Sequence, residues 1–381
     1  MIKKAIFFFP ENPFSNRAGN VKRAFSTLNI LKKIGYEIDL VGSKDVYQEM
    51  SDKEYFDKNV VNTLFLISKK PNKKNILVYL KYKFKKKINK PFKYNGFLSS
   101  YTIDSFEKIL SQKKYDLIFV NYETWAPLVH NTIAKQSKLI IDTHDWMTLN
   151  NFYNNPKIDI GEKFGEEIKN LSFFNHIVTI SIDEYFIFKS FLGKKVINIP
   201  PGFPDKTENE TLKFSEKKYD LIFVGSDNPF NIKALKWFFE TVFPLIKIKT
   251  KICVIGRICN HIPDFENLDK IIYAEDLDGL YYNSKVALCP MLEGTGIKIK
   301  VVEALSYGLP VIGTTKTVDG FLDKNANGCI TADNPLEFAS NIEIVLSNQE
   351  FYDLIKNQSK TYFKEHFMED KIAQSWKSIL M

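Results

Sequence analysis

Residues 290–315 read PMLEGTGIKIKVVEALSYGLPVIGTT, and no other stretch of the chain says as much about its fold. The end of a strand delivers the chain to a glycine loop, a short helix follows, and Tyr307-Gly308-Leu309-Pro310 turns it into another strand. Gly294 and Gly296 permit main-chain torsions and a closeness of approach that larger residues forbid, so their amides can point at an anion beside the helix start. Lys298 and Lys300 place positive charge in the first helical turns, where lysine opposes the helix dipole unless an anion compensates it. That local conflict argues for a bound phosphate. Glu303 stands seven residues after Gly296, and a carboxylate there can accept two hydroxyl hydrogen bonds from a ribose. The plainer alternative for Glu303 is a helix-surface charge.

The same alternation of short apolar runs with helical stretches surrounds this segment: runs at 221–224, 252–255, 271–273, 286–289 and 311–313, with a helix around 234–243. An earlier series repeats it, with runs at 5–9, 37–41, 117–120 and 139–141 and a helix over 19–34. This is the βαβ rhythm of parallel sheets, and it predicts an α/β chain. Between the two series a strand near 196–199 runs into Pro200, Pro201, Gly202 and Pro204 and then into the polar stretch 205–218. The domains expected are therefore 1–197, 198–357 and a terminal helix over 358–381, whose Tyr362, Phe363, Phe367, Ile372 and Trp376 recur at helical intervals. That helix covers either both domains or the second alone. The string KKYDLIFV occurs at 113–120 and again at 217–224, and is read as two strands converging under one burial pressure rather than as a functional repeat.

With 381 residues, 44% of them hydrophobic and 26% charged, the composition is that of a soluble globular protein long enough for two cores. No apolar run approaches the roughly 20 residues that span a bilayer. The run 5–9 follows Lys3 and Lys4 and leads into Pro10, which reads as a first buried strand rather than a signal peptide. Cys253, Cys259, Cys289 and Cys329 lie in or beside predicted strands and are expected to be reduced and structural, and the five histidines are too scattered for a metal box. No Asp-x-Asp metal motif appears in a convincing loop, so metal independence is expected.

The net charge of +8 favours an anionic partner. Lysines crowd 69–93, interleaved with Leu77, Leu80 and Phe84 at spacings of three and four, which predicts a basic amphipathic helix over 75–90. One reading docks it on an anionic membrane, with Leu77, Leu80 and Phe84 in the headgroup boundary and Lys81, Lys85 and Lys87 on lipid phosphates. The other packs its apolar stripe on the first domain and leaves its lysines solvated. No nucleic-acid-binding motif accompanies them, so nucleic acid is not expected as a partner.

The segment 290–315 resembles the donor-binding signature of family 4 glycosyltransferases, the group 1 glycosyltransferases, in the variant Gly-Ser/Thr-Gly, a lysine, then Val-x-Glu-Ala. Phe223-Val224-Gly225-Ser226 through Asn231, Ala234, Leu235, Trp237 and Phe238 to Pro244 is similar to the glycine loop and first helix of the same proteins. The run 139–145, with Asp142, His144 and Asp145, resembles their first-domain strand end, and 180–184 followed by Ile199-Pro200-Pro201-Gly202 resembles their crossover. The similarity spans most of the chain and is sharpest over 219–320.

The resemblance implies the GT-B fold: two Rossmann-like domains facing across a cleft, acceptor side first and nucleotide-sugar side second, with the C-terminal helix returning to the N-terminal domain. It gives Glu303 the ribose, Gly294, Thr295, Gly296 and Lys300 the distal phosphate region, and Gly225 and Ser226 a place bordering the phosphates. Ala274 to Leu277 would flank the base. Arg257 is a further candidate for neutralising the diphosphate, with a surface salt bridge as its alternative. Gly19, with Asn20 and Arg23 behind it, resembles the loop that lines the cleft, and His144 and Asp145 would present side chains there. The family places seven residues between its paired glutamates and this chain nine, so Glu303 carries over directly, while Glu293 is a residue that would bond the sugar or stabilise charge at the anomeric carbon.

The activity implied is hexosyltransferase-like: a nucleotide-diphosphate sugar as substrate, no cofactor, no metal, retention of anomeric configuration, and a glycan or lipid-linked glycan as acceptor. Richness in lysine, asparagine and phenylalanine suggests an AT-rich bacterial genome and hence surface polysaccharide or glycan assembly, in the cytoplasm or peripherally at the inner face of the plasma membrane. The alternatives are a nucleotide-sugar 2-epimerase of the same fold and a noncatalytic binder of nucleotide sugars or polyanions.

Overall fold

The computed structural model of the chain describes residues 2–15, 19–47, 56–88, 96–209 and 212–381, the side chains of 86–88 excepted. The apolar runs become strands, and those inside each sheet, such as Lys4–Phe8, Leu117–Asn121 and Ser284–Cys289, are buried on both faces, as parallel sheets require. The first seven strands are β1 (Lys4–Phe8), β2 (Glu37–Ser43), β3 (Thr63–Ile67), β4 (Leu117–Asn121), β5 (Lys138–Asp142), β6 (His176–Thr179) and β7 (Val196–Asn198), of which β3 and β6 were not among the runs expected from sequence. They form one sheet in the order β3-β2-β1-β4-β5-β6-β7, parallel throughout. The next six, β8 (Tyr219–Val224), β9 (Ile252–Ile255), β10 (Leu268–Ile271), β11 (Ser284–Cys289), β12 (Val311–Gly313) and β13 (Cys329–Thr331), form a second parallel sheet in the order β10-β9-β8-β11-β12-β13.

Side chains alternate between the two faces of each strand, and the second sheet shows the consequence. Ile222, Cys253, Ile255, Ala287, Cys289 and Val311 enter one core, while Leu221, Phe223, Val254, Val286, Leu288 and Ile312 enter another. All four cysteines are free thiols, and burial pushes that of Cys253 up to about 12. The strand expected at 271–273 instead occupies Leu268–Ile271, and Ile272 and Tyr273 are exposed. β10 lies at the sheet edge, where Asp269 and Lys270 are tolerated within a strand, so the apolar run misplaced it.

The chain divides into two compact units: Met1–Ile180, Glu184–Ile199 and Ser375–Met381 form the first, Ser181–Asp183 and Pro200–Gln374 the second. The last stretch is two helices, Gln349–His366 and Glu369–Leu380. The end of the second helix belongs to the first unit. There Trp376 is buried, its ring 5.6 Å from that of Phe119 and beneath the Arg23 guanidinium at 5.6 Å, and the Tyr36 hydroxyl donates to the Leu380 carbonyl at 3.0 Å. The terminal helix therefore returns to the N-terminal unit.

In each sheet the strand order reverses once, between β1 and β4 and between β8 and β11. Such a switch point opens a crevice at the carboxyl ends of its two strands, where α/β proteins bind ligands.

Candidate active site

In the second unit, β8 leads into Gly225-Ser226 and β11 into the 290–296 loop, so both glycine segments follow the strands of the switch point. Gly294 and Gly296 take φ of 110° and 65°, in the left-handed region that the sequence reserved for glycine. Lys298, which caps the helix Ile299–Ser306, folds its ammonium back onto the loop and donates to the carbonyls of Gly296 at 2.9 Å and of Gly294 and Thr295 at 3.4 Å. Its charge holds the loop's shape.

Lys300 is placed differently. Its ammonium lies 2.5 Å from Asn231 Oδ1, 3.7 Å from Met291 Sδ and 4.3 Å from the centre of the Phe223 ring. None of these partners carries a negative charge, and burial lowers the Lys300 pKa to about 8. A partly buried ammonium among neutral groups is costly by itself, and an anion beside it would relieve that cost.

Asn231 was not singled out as a site residue by sequence, yet it connects the two glycine segments. Asn228 caps the helix Pro229–Trp237 by accepting from the Asn231 amide at 2.8 Å, which fixes Asn231 in the first turn. Its side chain then accepts from Lys300 and donates to the Ser226 carbonyl at 2.9 Å. The signal available was an asparagine in the first turn of a helix that begins just after a glycine loop. The loops after β8 and β9 also touch: a Cβ on Gly256, whose φ is 108°, would stand 2.1 Å from the Gly225 carbonyl oxygen. The next residue, Arg257, is exposed and pairs with Asp227 at 2.9 Å, which is the surface salt bridge its alternative described.

Glu303 follows Lys300 by three residues, so the two share a face of one helix. The Tyr281 hydroxyl donates to Glu303 Oε2 at 3.4 Å, and the Tyr281 ring stacks on Tyr307 at 4.3 Å. Tyr307 in turn donates to Asp278 at 2.6 Å. Ala274 and Leu277 are half-buried against the same core. Glu293 is paired with Lys233 of the helix Pro229–Trp237.

In the first unit, Gly19 opens the helix Gly19–Ile34, which brings Arg23 to Asp142 at the end of β5 in a buried two-bond pair of 2.7 and 3.0 Å. Asn121, at the end of β4, donates to the Phe8 carbonyl at 2.7 Å across the switch point, and its Oδ1 lies 2.8 Å from His144 Nε2. His144 takes φ 59° and stacks on Tyr122, itself at φ 67°, at 4.5 Å. Burial holds the His144 pKa down to about 4, against the pull of the Asp142 carboxylate and with the help of Arg23. Asn20 joins Tyr122 Oη at 2.8 Å to Glu11 at 3.0 Å. The sequence expected His144 and Asp145 to present side chains. In the structure His144 is buried with Nε2 engaged, and Asp145 is half-buried within the electrostatic reach of Tyr122. Asn121 and Tyr122 were missed, for nothing in a strand-end Asn-Tyr marks it apart from an ordinary loop start.

Residues 218–348 match a family model described as glycosyl transferases group 1. Over 98% of both chains, the sequence is 21% identical to an uncharacterized 44.6 kDa protein in the cps region of Klebsiella pneumoniae. A stretch of 130 residues, 30% of this chain and 36% of the relative, is 25% identical to an uncharacterized glycosyltransferase of Haemophilus influenzae. Among solved structures, sucrose-phosphate synthase from Thermosynechococcus elongatus superposes with a TM-score of 0.69 at 13% identity, covering 99% of this chain and 98% of that one. HepE of Anabaena in complex with UDP-glucose does so with a TM-score of 0.65 at 13% identity over 99% of each chain. The fold is that of the GT-B enzymes, with two Rossmann-like parallel-sheet units.

Proposed function

We propose that this chain, a GT-B glycosyltransferase with a group 1 glycosyl transferase domain over residues 218–348, moves a hexosyl-like group from a nucleoside-diphosphate sugar to a hydroxyl of a glycan or lipid-linked glycan. The observation that carries this reading is Lys300: a partly buried ammonium with neutral partners, beside a left-handed glycine loop, at the switch point of a parallel sheet. A diphosphate supplies the missing negative charge. Glu303, on the same helix face, accepts the ribose hydroxyls. Gly294, Thr295 and Gly296 meet the distal phosphate, Gly225 and Ser226 border it, and Ala274 to Leu277 flank the base. His144 and Asp145, with the helix start at Gly19, serve the sugar and acceptor.

In the reaction, the bond from the anomeric carbon to phosphate oxygen breaks and its electron pair leaves with the diphosphate, which Lys300 and the loop amides stabilise. The acceptor oxygen bonds to the anomeric carbon, and its proton leaves with the diphosphate. Glu293, held by Lys233, faces the charge that develops on the sugar. Retention of configuration follows the family resemblance, and the positive charge of Lys300 serves where other transferases use a metal, so activity should survive a chelator. HepE is described in complex with UDP and with UDP-glucose, which makes UDP-glucose the first donor to test. The cps region of the Klebsiella relative supports a place in surface polysaccharide assembly.

The test is a screen of nucleotide sugars for thermal stabilisation, since a ligand that binds only the folded state raises its stability, followed by titration calorimetry on Glu303→Ala. Loss of hydrogen bonds to a charged acceptor is worth roughly 1.5–3 kcal/mol, so nucleoside-diphosphate affinity should fall about ten- to a hundredfold in a folded variant. Unchanged affinity would remove Glu303 from the site. Donor converted to its C2 epimer without acceptor would replace transfer with epimerisation.

A further inference from the structure

We infer that the helix Ile76–Ile88 is a docking surface for an anionic lipid bilayer. Between Lys69 and Lys93 the chain carries eleven lysines and no acidic residue. The helix itself is attached to its unit by one side. Tyr82 is buried with its ring 6.3 Å from Tyr101, and Lys85 is bonded to Asp104 at 2.7 Å, both partners lying on the helix Ser100–Leu110. The stripe of Leu77, Leu80 and Phe84 does not pack against the unit. Leu77 is 81% exposed, Ile76 67%, Phe84 66% and Leu80 56%.

At about 100° of rotation per residue, Ile76, Leu80, Phe84 and Leu77 fall within an arc of roughly 100°, on the side opposite Tyr82. Lys83 stands just before that arc and Lys81 just beyond it, and both are exposed. Lys73 and Lys74 are exposed immediately before the helix. An apolar stripe bordered on each side by lysine is the arrangement in which the stripe enters the headgroup boundary while the ammonium groups extend to lipid phosphates. No described helix is long and apolar enough to cross a membrane, so the helix lies along the surface. Lys85, expected on lipid phosphate, is instead held by Asp104, and Lys83 takes its place. The Lys87 side chain, with residues 89 and 90, lies outside the described residues.

Charge chooses the occupant. A second copy of this chain would bring the same lysines against themselves, and a polyanion without hydrocarbon would leave the apolar stripe in water. An anionic bilayer satisfies both. That the acceptor is itself lipid-linked rests on the transferase reading; the docking does not.

The experiment is sedimentation of the full chain with vesicles of phosphatidylcholine alone and of phosphatidylcholine with phosphatidylglycerol, at about 0.05 M and about 0.5 M salt. Binding should require phosphatidylglycerol and be largely lost at the higher salt. Lys81→Glu with Lys83→Glu, and separately Leu77→Ser with Phe84→Ser, should each lower partitioning roughly tenfold or more, while nucleoside-diphosphate binding and the thermal midpoint stay at the parent's values. Equal binding to both vesicle types, binding to neither, or partitioning unmoved by either pair of substitutions would overturn the proposal. So would a loss of self-association in the Leu77→Ser, Phe84→Ser variant without a change in vesicle binding, since the stripe would then join two copies. Because nucleotide binding is read separately, a failure here leaves the donor site standing, and a failure there leaves the docking standing.

Discussion

At the carboxyl edge of the first sheet, Arg23 and Asp142 answer each other with two hydrogen bonds in a site closed to solvent, and elsewhere in the same unit the equally buried Lys163 donates one to Glu123 at 3.0 Å. At the corresponding edge of the second sheet, Lys300 is partly buried among an amide oxygen, a thioether and an aromatic ring. The two switch points share a topology and differ in how charge is completed. The first balances its charges from within the chain. The second leaves an ammonium without a counter-charge, which folding alone would not favour and which the diphosphate of the proposed reaction would supply.

Breaking the internal balance should have the largest effect. Asp142→Ala leaves the Arg23 guanidinium buried without its partner, and removal of one member of a buried pair costs about 3–5 kcal/mol. The denaturant midpoint of the first unit should fall accordingly. Removing both charges in Arg23→Met, Asp142→Leu should recover much of the loss, as apolar replacement of a whole buried pair often does. If the double variant is as unstable as the single one, the pair has a structural role beyond charge balance.

The same operation on the second unit should have the opposite sign. Lys300→Met removes a charge that the fold holds at a cost, and a pKa lowered from 10.5 to about 8 corresponds to about 3 kcal/mol as an upper figure. The ligand-free variant should therefore unfold later than the parent. Nucleoside diphosphate, which should raise the parent's thermal midpoint, should leave that of the variant unchanged. A less stable Lys300→Met would mean that the ring contact and the Asn231 bond outweigh desolvation, and the contrast between the units would fail.

The alternation of strands and helices, the helical character of the chain's end and the glycine loop were legible in the sequence because each rests on a local rule, whereas the return of the terminal helix came only from the family resemblance. Unbroken apolar runs mark strands buried on two faces, Trp376 and its neighbours recur at helical intervals, and only glycine accepts the torsions found at 294 and 296. Partnerships between distant residues were not legible. Lys298 and Lys300 look equivalent in sequence, two residues apart with the same charge, yet one bonds the carbonyls just before it and the other reaches Asn231, sixty-nine residues away. Likewise the spacing of Leu77, Leu80 and Phe84 defines a stripe but not what it faces, because the contacts that pin Tyr82 and Lys85 come from another helix.

The smallest effect separates the units by pH. Burial depresses the His144 pKa to about 4 from an ordinary 6.5, so between these values the unfolded chain binds a proton that the folded chain refuses. The stability His144 contributes is thus fully present above about 6.5 and is lost as pH falls toward 4, by about 1 kcal/mol between pH 6.5 and 5.5. His130 lies at the surface with its ring stacked on Phe173 at 3.8 Å, and desolvation there and the nearby Lys169 lower its pKa to about 4, which acts in the same direction. Glu167 opposes them: burial and the nearby Glu123 raise its pKa to about 7, so its contribution is present below about 4.5 and is lost as pH rises through 7. Lys300, depressed to about 8, acts in a different window, its stabilising deprotonation appearing only between about 8 and 10.5. Between pH 5.5 and 6.5 the stability of His144→Asn should therefore rise by about 1 kcal/mol less than the parent's, with the pH slope of Lys300→Met, though not its stability, equal to the parent's there and departing from it only above pH 8. If His144→Asn keeps the parent's acid slope, the histidine titrates normally and the closed edge of the first sheet is open to water.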